Sequence, residues 1–241
     1  MEKLIYLDMA ASTNDYAKVL AQQGAPHGTA VLAKSQTAGR GRMGRSFLSP
    51  EGGLYLSLIL RPKEKAEELM SLTAVLALAA CDAVEEVCGL RPGVKWINDL
   101  VFGGKKLAGI LTELQLTPDG HVEYAICGIG VNCAAVPAEV ADIATSLLDE
   151  TGRETDLPRL AAAMVEHMTD ACDTVKDPAH MERYRKNCQT LGKTVRVLGK
   201  DEYEAAALDV DDDGALLVLK DGQVRRVFSG EVSVRGLFGY V

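Results

Sequence analysis

The residues of clearest chemical character form one stretch, Gln36-Thr37-Ala38-Gly39-Arg40-Gly41-Arg42-Met43-Gly44-Arg45. From Lys34 to Arg45 there are four basic residues and no acidic one, in a chain of 241 residues with a net charge of -8. A cationic island in an anionic chain asks for a particular anionic ligand more than for polyanions in general. The glycines relax backbone limits and let N–H groups approach that ligand. The arginines offer planar, permanently charged forks suited to phosphate or carboxylate. A solvated flexible loop is the competing description, but arginines alternating with glycines are poor loop filler. The stretch lacks the Gly-Lys-Ser/Thr of a Walker loop. A strand-like run follows it, where the dinucleotide fingerprint needs a helix.

Further islands are similar in kind. Lys95-Trp96-Ile97-Asn98-Asp99 sets a lysine, an amide and a carboxylate at a strand end, and Lys105-Lys106-Leu107-Ala108-Gly109 opens the next strand. Asp99 alone offers too few ligands for a tight metal site. It suits a magnesium ion that keeps waters and shares substrate phosphates. Gly128-x-Gly130-x-Asn132 is weak by itself, because glycine in a strand often marks a bulge. Ser12-Thr13-Asn14 precede a helical segment, and Ser12 with Asp15 resembles a capping box. A polar helix start explains these residues fully; the alternative is that they also present hydroxyl and amide groups to a ligand.

The elements that must position these groups are legible in outline. Lys3 to Asp8 reads as an opening strand, followed by a helix ending near Gln23-Gly24. Thr29–Ala33 and Leu54–Leu60 are strand-like on either side of the arginine loop. Glu64 to Cys88 reads as one long helix, apolar on most of its circumference and therefore buried against a sheet. Val94–Ile97, Leu100–Phe102, Leu107–Leu114 and His121–Ile126, the last extended to Asn132, are strands joined by tight turns at Asn98-Asp99, Gly103-Gly104 and Pro118-Asp119-Gly120. That pattern predicts an α+β fold with a mainly antiparallel sheet. Ser146–Glu150 reads as a helical turn, 156–175 as an amphipathic helix whose methionines are core, and Pro178–Asn187 as a further helix. After Leu191-Gly192, five short strand-like runs predict a small SH3-like barrel, with Asp211-Asp212-Asp213-Gly214 as a hairpin turn. The expected domains are 1–190 and 191–241.

Composition narrows the function. The chain is 47% hydrophobic and 25% charged, as a globular protein is. Its acidity argues against general nucleic-acid binding, not against one nucleotide. Six cysteines and four histidines are scattered without metal-ligand spacing, and the cysteines read as small core residues. The N-terminus lacks a signal peptide's apolar run, and the most apolar window, 72–83, is too short to span a bilayer. The expectation is a soluble protein of a reducing cytoplasm.

Taken together, Gly39-Arg40-Gly41-Arg42-x-Gly44-Arg45, Lys95-Trp96-x-Asn98-Asp99-Leu100, Lys106-Leu107-Ala108-Gly109-Ile110-Leu111 and Gly128-Ile129-Gly130-x-Asn132 resemble a bacterial biotin–protein ligase. Ser12-Thr13-Asn14 and the C-terminal Gly230-Glu231-Val232-Ser233-Val234-Arg235 extend the resemblance over essentially the whole chain. It implies a catalytic domain like those of class II synthetases and biotin–lipoate ligases, joined to the SH3-like barrel. It implies that biotin and Mg-ATP form biotinyl-5′-AMP, and that a lysine of a biotin carboxyl carrier protein, typically of acetyl-CoA carboxylase, then accepts the biotin. Lys106, Arg42 and Asp99 are the implied catalytic residues. Ser12, Thr13, Asn14, Gln36, Arg40, Gly41, Arg42 and Lys106 are expected at biotin, and Arg40, Arg42, Arg45, Lys95, Trp96, Asn98 and Asn132 at ATP or the adenylate. Asp99 would serve Mg2+.

This sequence departs from the family where Ile97 replaces a usual proline and Phe47 a usual tryptophan, which removes an indole N–H. The chain opens at the catalytic strand, so it resembles the monofunctional class: no DNA, no membrane, and a monomer or homodimer. A lipoate ligase or octanoyltransferase is the alternative enzyme, disfavoured by the arginine loop and the C-terminal barrel, and a non-catalytic ligand sensor is the alternative of another class.

Overall fold

A computed structural model of the protein describes residues 4–198, 202–229 and 233–236. The turn expected at Gly199-Lys200-Asp201, the residues Gly230-Glu231-Val232 of the C-terminal motif, and Lys3 of the opening strand lie outside them. The strands of the larger sheet are β1 (Leu4–Ala10), β2 (Thr29–Gln36), β3 (Leu54–Leu60), β4 (Gly93–Lys95), β5 (Asp99–Phe102), β6 (Lys105–Leu116) and β7 (Val122–Val131). Their order is β1-β2-β3-β7-β6-β5-β4. β1 and β2 run parallel, and every other neighbouring pair is antiparallel. The sheet is thus mixed, mainly antiparallel as expected.

Strand parity explains how the sheet is dressed. Leu54, Leu56, Leu58 and Leu60 of β3 join one core with Ala125, Cys127, Ile129 and Val131 of β7. Covering that face are α2 (Leu72–Cys88) and α4 (Leu157–Asp173), which bury Val75, Leu76 and Ala83, and Leu160, Met164 and Met168. The methionine stripe is therefore core. On the opposite face, Val31, Ile59, Tyr124 and Ile126 pack against Ala17 and Ala21 of α1 (Thr13–Gln22). Successive strand residues point to opposite faces, so both are apolar where a helix covers them.

The long helix expected from Glu64 begins instead at Leu72, after a 3-10 turn over Ala66–Leu69. The Glu68 carboxylate accepts the Lys65 N–H at 3.1 Å and closes that turn as a separate unit. Gly89 ends α2 at φ 70°, a left-handed position that favours glycine. The Asn98-Asp99 turn is displaced by one residue: Asp99 opens β5, pairs with Lys95, and leaves Trp96, Ile97 and Asn98 as the connection. α3 (Leu147–Thr151) and α5 (Pro178–Asn187) start at Ser146 and Asp177, whose side chains cap them.

The second sheet comprises β8 (Thr194–Leu198), β9 (Tyr203–Val210), β10 (Leu216–Lys220), β11 (Gln223–Val227) and β12 (Ser233–Gly236), ordered β11-β10-β9-β8-β12 and antiparallel throughout, consistent with an SH3-like unit. The Asp211 carboxylate accepts the N–H groups of Asp213 and Ala215 at 3.1 and 3.0 Å, so it shapes the β9–β10 hairpin. This sheet is welded to the first. The apolar core continues through Val195, Val197, Leu216 and Val218. The Trp96 indole, 4% exposed, donates to the Gly214 carbonyl at 2.9 Å.

Two outcomes follow from this packing. Trp96→Phe leaves a buried carbonyl without its donor, which costs about 1–3 kcal/mol; urea unfolding should read that loss while the native spectrum is preserved. All six cysteines are free and buried, and burial pushes the thiols of Cys81, Cys127, Cys133 and Cys172 up to about 12. A disulfide reagent at pH 8 should find almost no fast thiols in the native protein and all of them after denaturation.

Candidate functional site

The helix α2 and α4 side of the sheet is filled, whereas the α1 side opens into a pocket where side chains stop. Down β7, the residues on that face run Tyr124, Ile126, Gly128, Gly130. The two glycines replace bulk with space. A Cβ on Gly128 would lie 2.0 Å from Asn14 Oδ1, and one on Gly130 would lie 2.4 Å from the Phe47 ring. The weak Gly-x-Gly signal thus marks the floor of a pocket also lined by Ser12, Thr13, Asn14, Gln36, Arg40, Gly41, Arg42, Phe47, Asn98 and Lys106.

One end of the pocket is neutral and polar. Thr13 gives both its N–H and its hydroxyl to Gln36 Oε1, at 2.8 and 3.1 Å. The Ser57 hydroxyl donates to Asn14 Oδ1 at 2.6 Å and lies 2.8 Å from Thr13 Oγ1. Ser12 caps α1 by accepting the Asp15 N–H at 3.4 Å, so the helix-start description and a pocket-facing one hold together. Gln36 Nε2 reaches Ser49 Oγ at 2.8 Å and ties the base of the arginine loop to this end.

The other end is charged. Lys106 Nζ lies 2.8 Å from Asp99 Oδ1 and 5.6 Å from the centre of the Phe47 ring. Asn98 donates to Asp99 Oδ1 at 3.2 Å and to the Ile110 carbonyl at 2.9 Å, and its Oδ1 accepts from Arg42 at 2.7 Å. Arg42 also donates to the Ser229 carbonyl, in the turn after β11. Burial pulls the Arg42 guanidinium below its ordinary value, against the opposing field of Asp99. A guanidinium stays protonated in proteins, so the pocket keeps this positive charge.

Lys106 reaches this place through an irregularity. Leu100 pairs with Ala108, but the next residue, Val101, pairs with Lys106, so Leu107 is an extra residue in β6. Such a bulge reverses the alternation and re-aims a side chain. Leu107 and Ala108 both enter the α2-side core, and Lys106 joins Gly109 on the pocket face. Gly109 leaves room for it: a Cβ there would lie 2.9 Å from Lys106 Nζ and push the ammonium aside.

Lys106 also lines a second cavity, a cleft of about 700 Å³ bounded by Phe47, Tyr55, Asn132, Val136 and Ile143. Asn132 donates to the Thr145 carbonyl at 3.0 Å, which fixes the segment closing the cleft. The pocket and cleft therefore meet at Gln36, Phe47 and Lys106, of which Lys106 carries the charge.

Other expected site residues are placed differently. Arg40 lines the pocket, yet its guanidinium is forked onto Glu113, at 2.9 and 3.1 Å, and onto Asp15 at 2.7 Å. Gly41 is extended at φ -111°, and an added Cβ would make only ordinary contacts; the need for glycine falls on Gly39, whose Cβ would lie 2.4 Å from the Phe47 carbonyl oxygen, and on Gly44, at φ 71°. Trp96 faces the second sheet rather than the pocket, because its indole is spent on Gly214. Lys95 is buried in β4, and neither it nor Arg45 borders the pocket or the cleft. Ser57 and Glu113 are contributors beyond the sequence reading. The signal for Ser57 was a single polar residue inside an apolar strand; Glu113, beside Thr112 in β6, carried none.

Among the described residues no cluster of three or more His, Cys, Asp or Glu side chains could hold a metal. Asp99 is already bonded to Lys106 and Asn98, which does not fit a protein-built cation site. Among them, too, no helix is long and apolar enough to cross a membrane.

Comparison with known proteins agrees with this geometry. The sequence pattern of the Biotin/lipoate A/B protein ligase family matches residues 6–132, and that of the Biotin protein ligase C terminal domain matches residues 190–235. The chain is 36% identical to the bifunctional ligase/repressor BirA of Bacillus subtilis, over 97% of its own length and 74% of that protein. It is 32% identical to the biotin--[acetyl-CoA-carboxylase] ligase of Mycobacterium tuberculosis, over 94% and 88% of the two chains. Among solved structures, biotin protein ligase from Aquifex aeolicus in complex with biotin and ATP superposes with a TM-score of 0.85 at 32% identity, covering 98% of this chain and 100% of that one. The chain belongs to the biotin/lipoate A/B protein ligase family.

Proposed function

We propose that this protein activates biotin with ATP and transfers it to a lysine of a biotin carboxyl carrier protein, typically that of an acetyl-CoA carboxylase. The observation that carries the reading is the position of Lys106, whose side chain lines both the narrow pocket and the larger cleft. Two anions must meet for a carboxylate to attack a phosphorus, and a fixed cation at their meeting point lowers the cost. In the first step a biotin carboxylate oxygen bonds to the α-phosphorus of ATP, and the bond to the β-phosphate oxygen breaks, releasing pyrophosphate. In the second the lysine amine attacks the acyl carbon, AMP leaves, and the amine gives up a proton.

In this reading Ser12, Thr13, Asn14 and Gln36 receive the neutral ureido end of biotin. Its carboxylate points to Lys106 and Arg42, with Arg40 and Gly41 in the loop wall. Binding of the acid and the phosphate would draw Lys106 from Asp99, freeing a carboxylate beside the phosphates. Mg2+ would then enter with the ATP substrate, and Asp99 would be the residue to serve it. Asn132 and the cleft suit the nucleoside, Asn98 holds Arg42, and Lys95, Arg45 and Trp96 act from outside this contact set. The C-terminal match favours biotin over lipoate, and the net charge of -8 favours a ligase role without DNA binding. Six free thiols support a reducing compartment, the cytoplasm. The domains follow the two sheets, 1–190 and 191–241, as one monomer or in a homodimer.

The direct test is incubation with ATP, labelled biotin and a carrier domain. Label should pass to the carrier with release of pyrophosphate, and free lipoate should not compete; an unlabelled carrier with folded enzyme sinks the proposal. Lys106→Ala should slow pyrophosphate release on the order of 10²–10³-fold, the loss expected for one charge-stabilising donor, with an unchanged circular dichroism spectrum. Near-normal turnover in that variant would remove Lys106 from the chemistry.

A further inference from the structure

Glu113 of β6 does not line the pocket, yet it stands behind two residues that do. Its Oε2 accepts from Asn14 Nδ2 at 2.8 Å and from Arg40 Nη2 at 2.9 Å, while Oε1 accepts from Arg40 Nη1 at 3.1 Å. The bond to Asn14 decides which way that amide faces. With Nδ2 committed to Glu113, Oδ1 turns to Ser57 at 2.6 Å and toward the space that Gly128 leaves open. A pocket floor built this way presents a carbonyl acceptor, which suits the N–H groups of a ureido ring. A flipped amide would present donors to donors.

We infer that Glu113 is a positioning residue for substrate recognition: it clasps Arg40 of the loop to β6 and fixes the Asn14 amide with its oxygen toward biotin. The inference rests on the function proposed above. The paired fork on Arg40 adds geometric definition, though a half-exposed ion pair contributes little by itself. Arg40 also keeps Asp15, at 2.7 Å, if Glu113 is removed. Asn14 Nδ2 keeps only the Leu111 carbonyl at 3.5 Å. The consequence of losing Glu113 therefore falls first on the orientation of Asn14, and so on affinity for biotin.

The test compares wild type, Glu113→Ala and Glu113→Gln by biotin titration calorimetry and by pyrophosphate release at varied biotin. Loss of a charged acceptor predicts that Glu113→Ala raises the biotin Kd and KM about tenfold or more, with kcat nearly unchanged. In Glu113→Gln a carbonyl oxygen at the Oε2 position still accepts from Asn14 and Arg40, so KM should return to within about threefold of wild type, the scale of a surface change. A role in stability alone would lower Tm and the active fraction with KM unmoved, and that result overturns the inference. Wild-type-like biotin affinity in Glu113→Ala overturns it as well, while wild type that binds no biotin would sink the underlying function first.

Discussion

The structure turns on holding Lys106 and Arg42 together away from bulk water. Lys106 is about a quarter exposed and Asp99 less. Taking such charges out of water is costly unless each finds a partner and its remaining hydrogen-bonding groups are satisfied. Asp99 supplies the charge, and Asn98 supplies the geometry: one amide bonds Asp99, Ile110 and Arg42 at once. A cationic patch assembled in advance does not have to be gathered when the reaction occurs, and that is where electrostatic stabilisation is most effective. The ion pair with Asp99 is thus more than a stabilising contact. It keeps the ammonium in register until a stronger anionic partner arrives.

Space for that partner is made by subtraction. A seven-stranded sheet packed on both faces would have a filled core on the α1 side as well. Instead, Gly128 and Gly130 of β7, with Gly109 beside them on β6, interrupt the side-chain rows. The polar groups of α1 and the loop then fall into the gap. Ser57 shows the same logic from β3: its neighbours on the same face, Tyr55 and Ile59, are large, and only a small hydroxyl admits Thr13 and Asn14.

Much of this was legible from residue types. The arginine loop, the Asn98-Asp99 pair, Lys106 and the Gly-x-Gly all line or support one site, because polar and glycine residues inside apolar strands are expensive without a purpose. The succession of strands along the chain and the size of the C-terminal sheet followed from turn residues and alternation; the spatial order, with β7 between β3 and β6, did not. What alternation could not show is the bulge at Leu107. A regular strand would have put Lys106 with Ala108 and Ile110, facing α2, and only the pairing of two β6 residues against one β5 residue reveals the reversal. Trp96 shows a second limit of reading by neighbours. Its neighbours in sequence belong to the site, but a buried indole needs an acceptor, and the nearest is a carbonyl of the second sheet. The clasp at Glu113 joins residues far apart in the chain, which no local pattern encodes.

The same few residues therefore serve two tasks. Trp96 locks the β9–β10 hairpin, and Asn98, two positions on, holds Arg42. Arg42 returns the connection by reaching Ser229 after β11. The C-terminal sheet and the arginine loop are then not independent parts: displacing one withdraws a hydrogen-bond partner from the other. Groups bonded in one network couple energetically where distant sites add. The C-terminal sheet can in this way set how firmly the Arg42 guanidinium is held, and the apolar core that continues from one sheet into the other ties the two together.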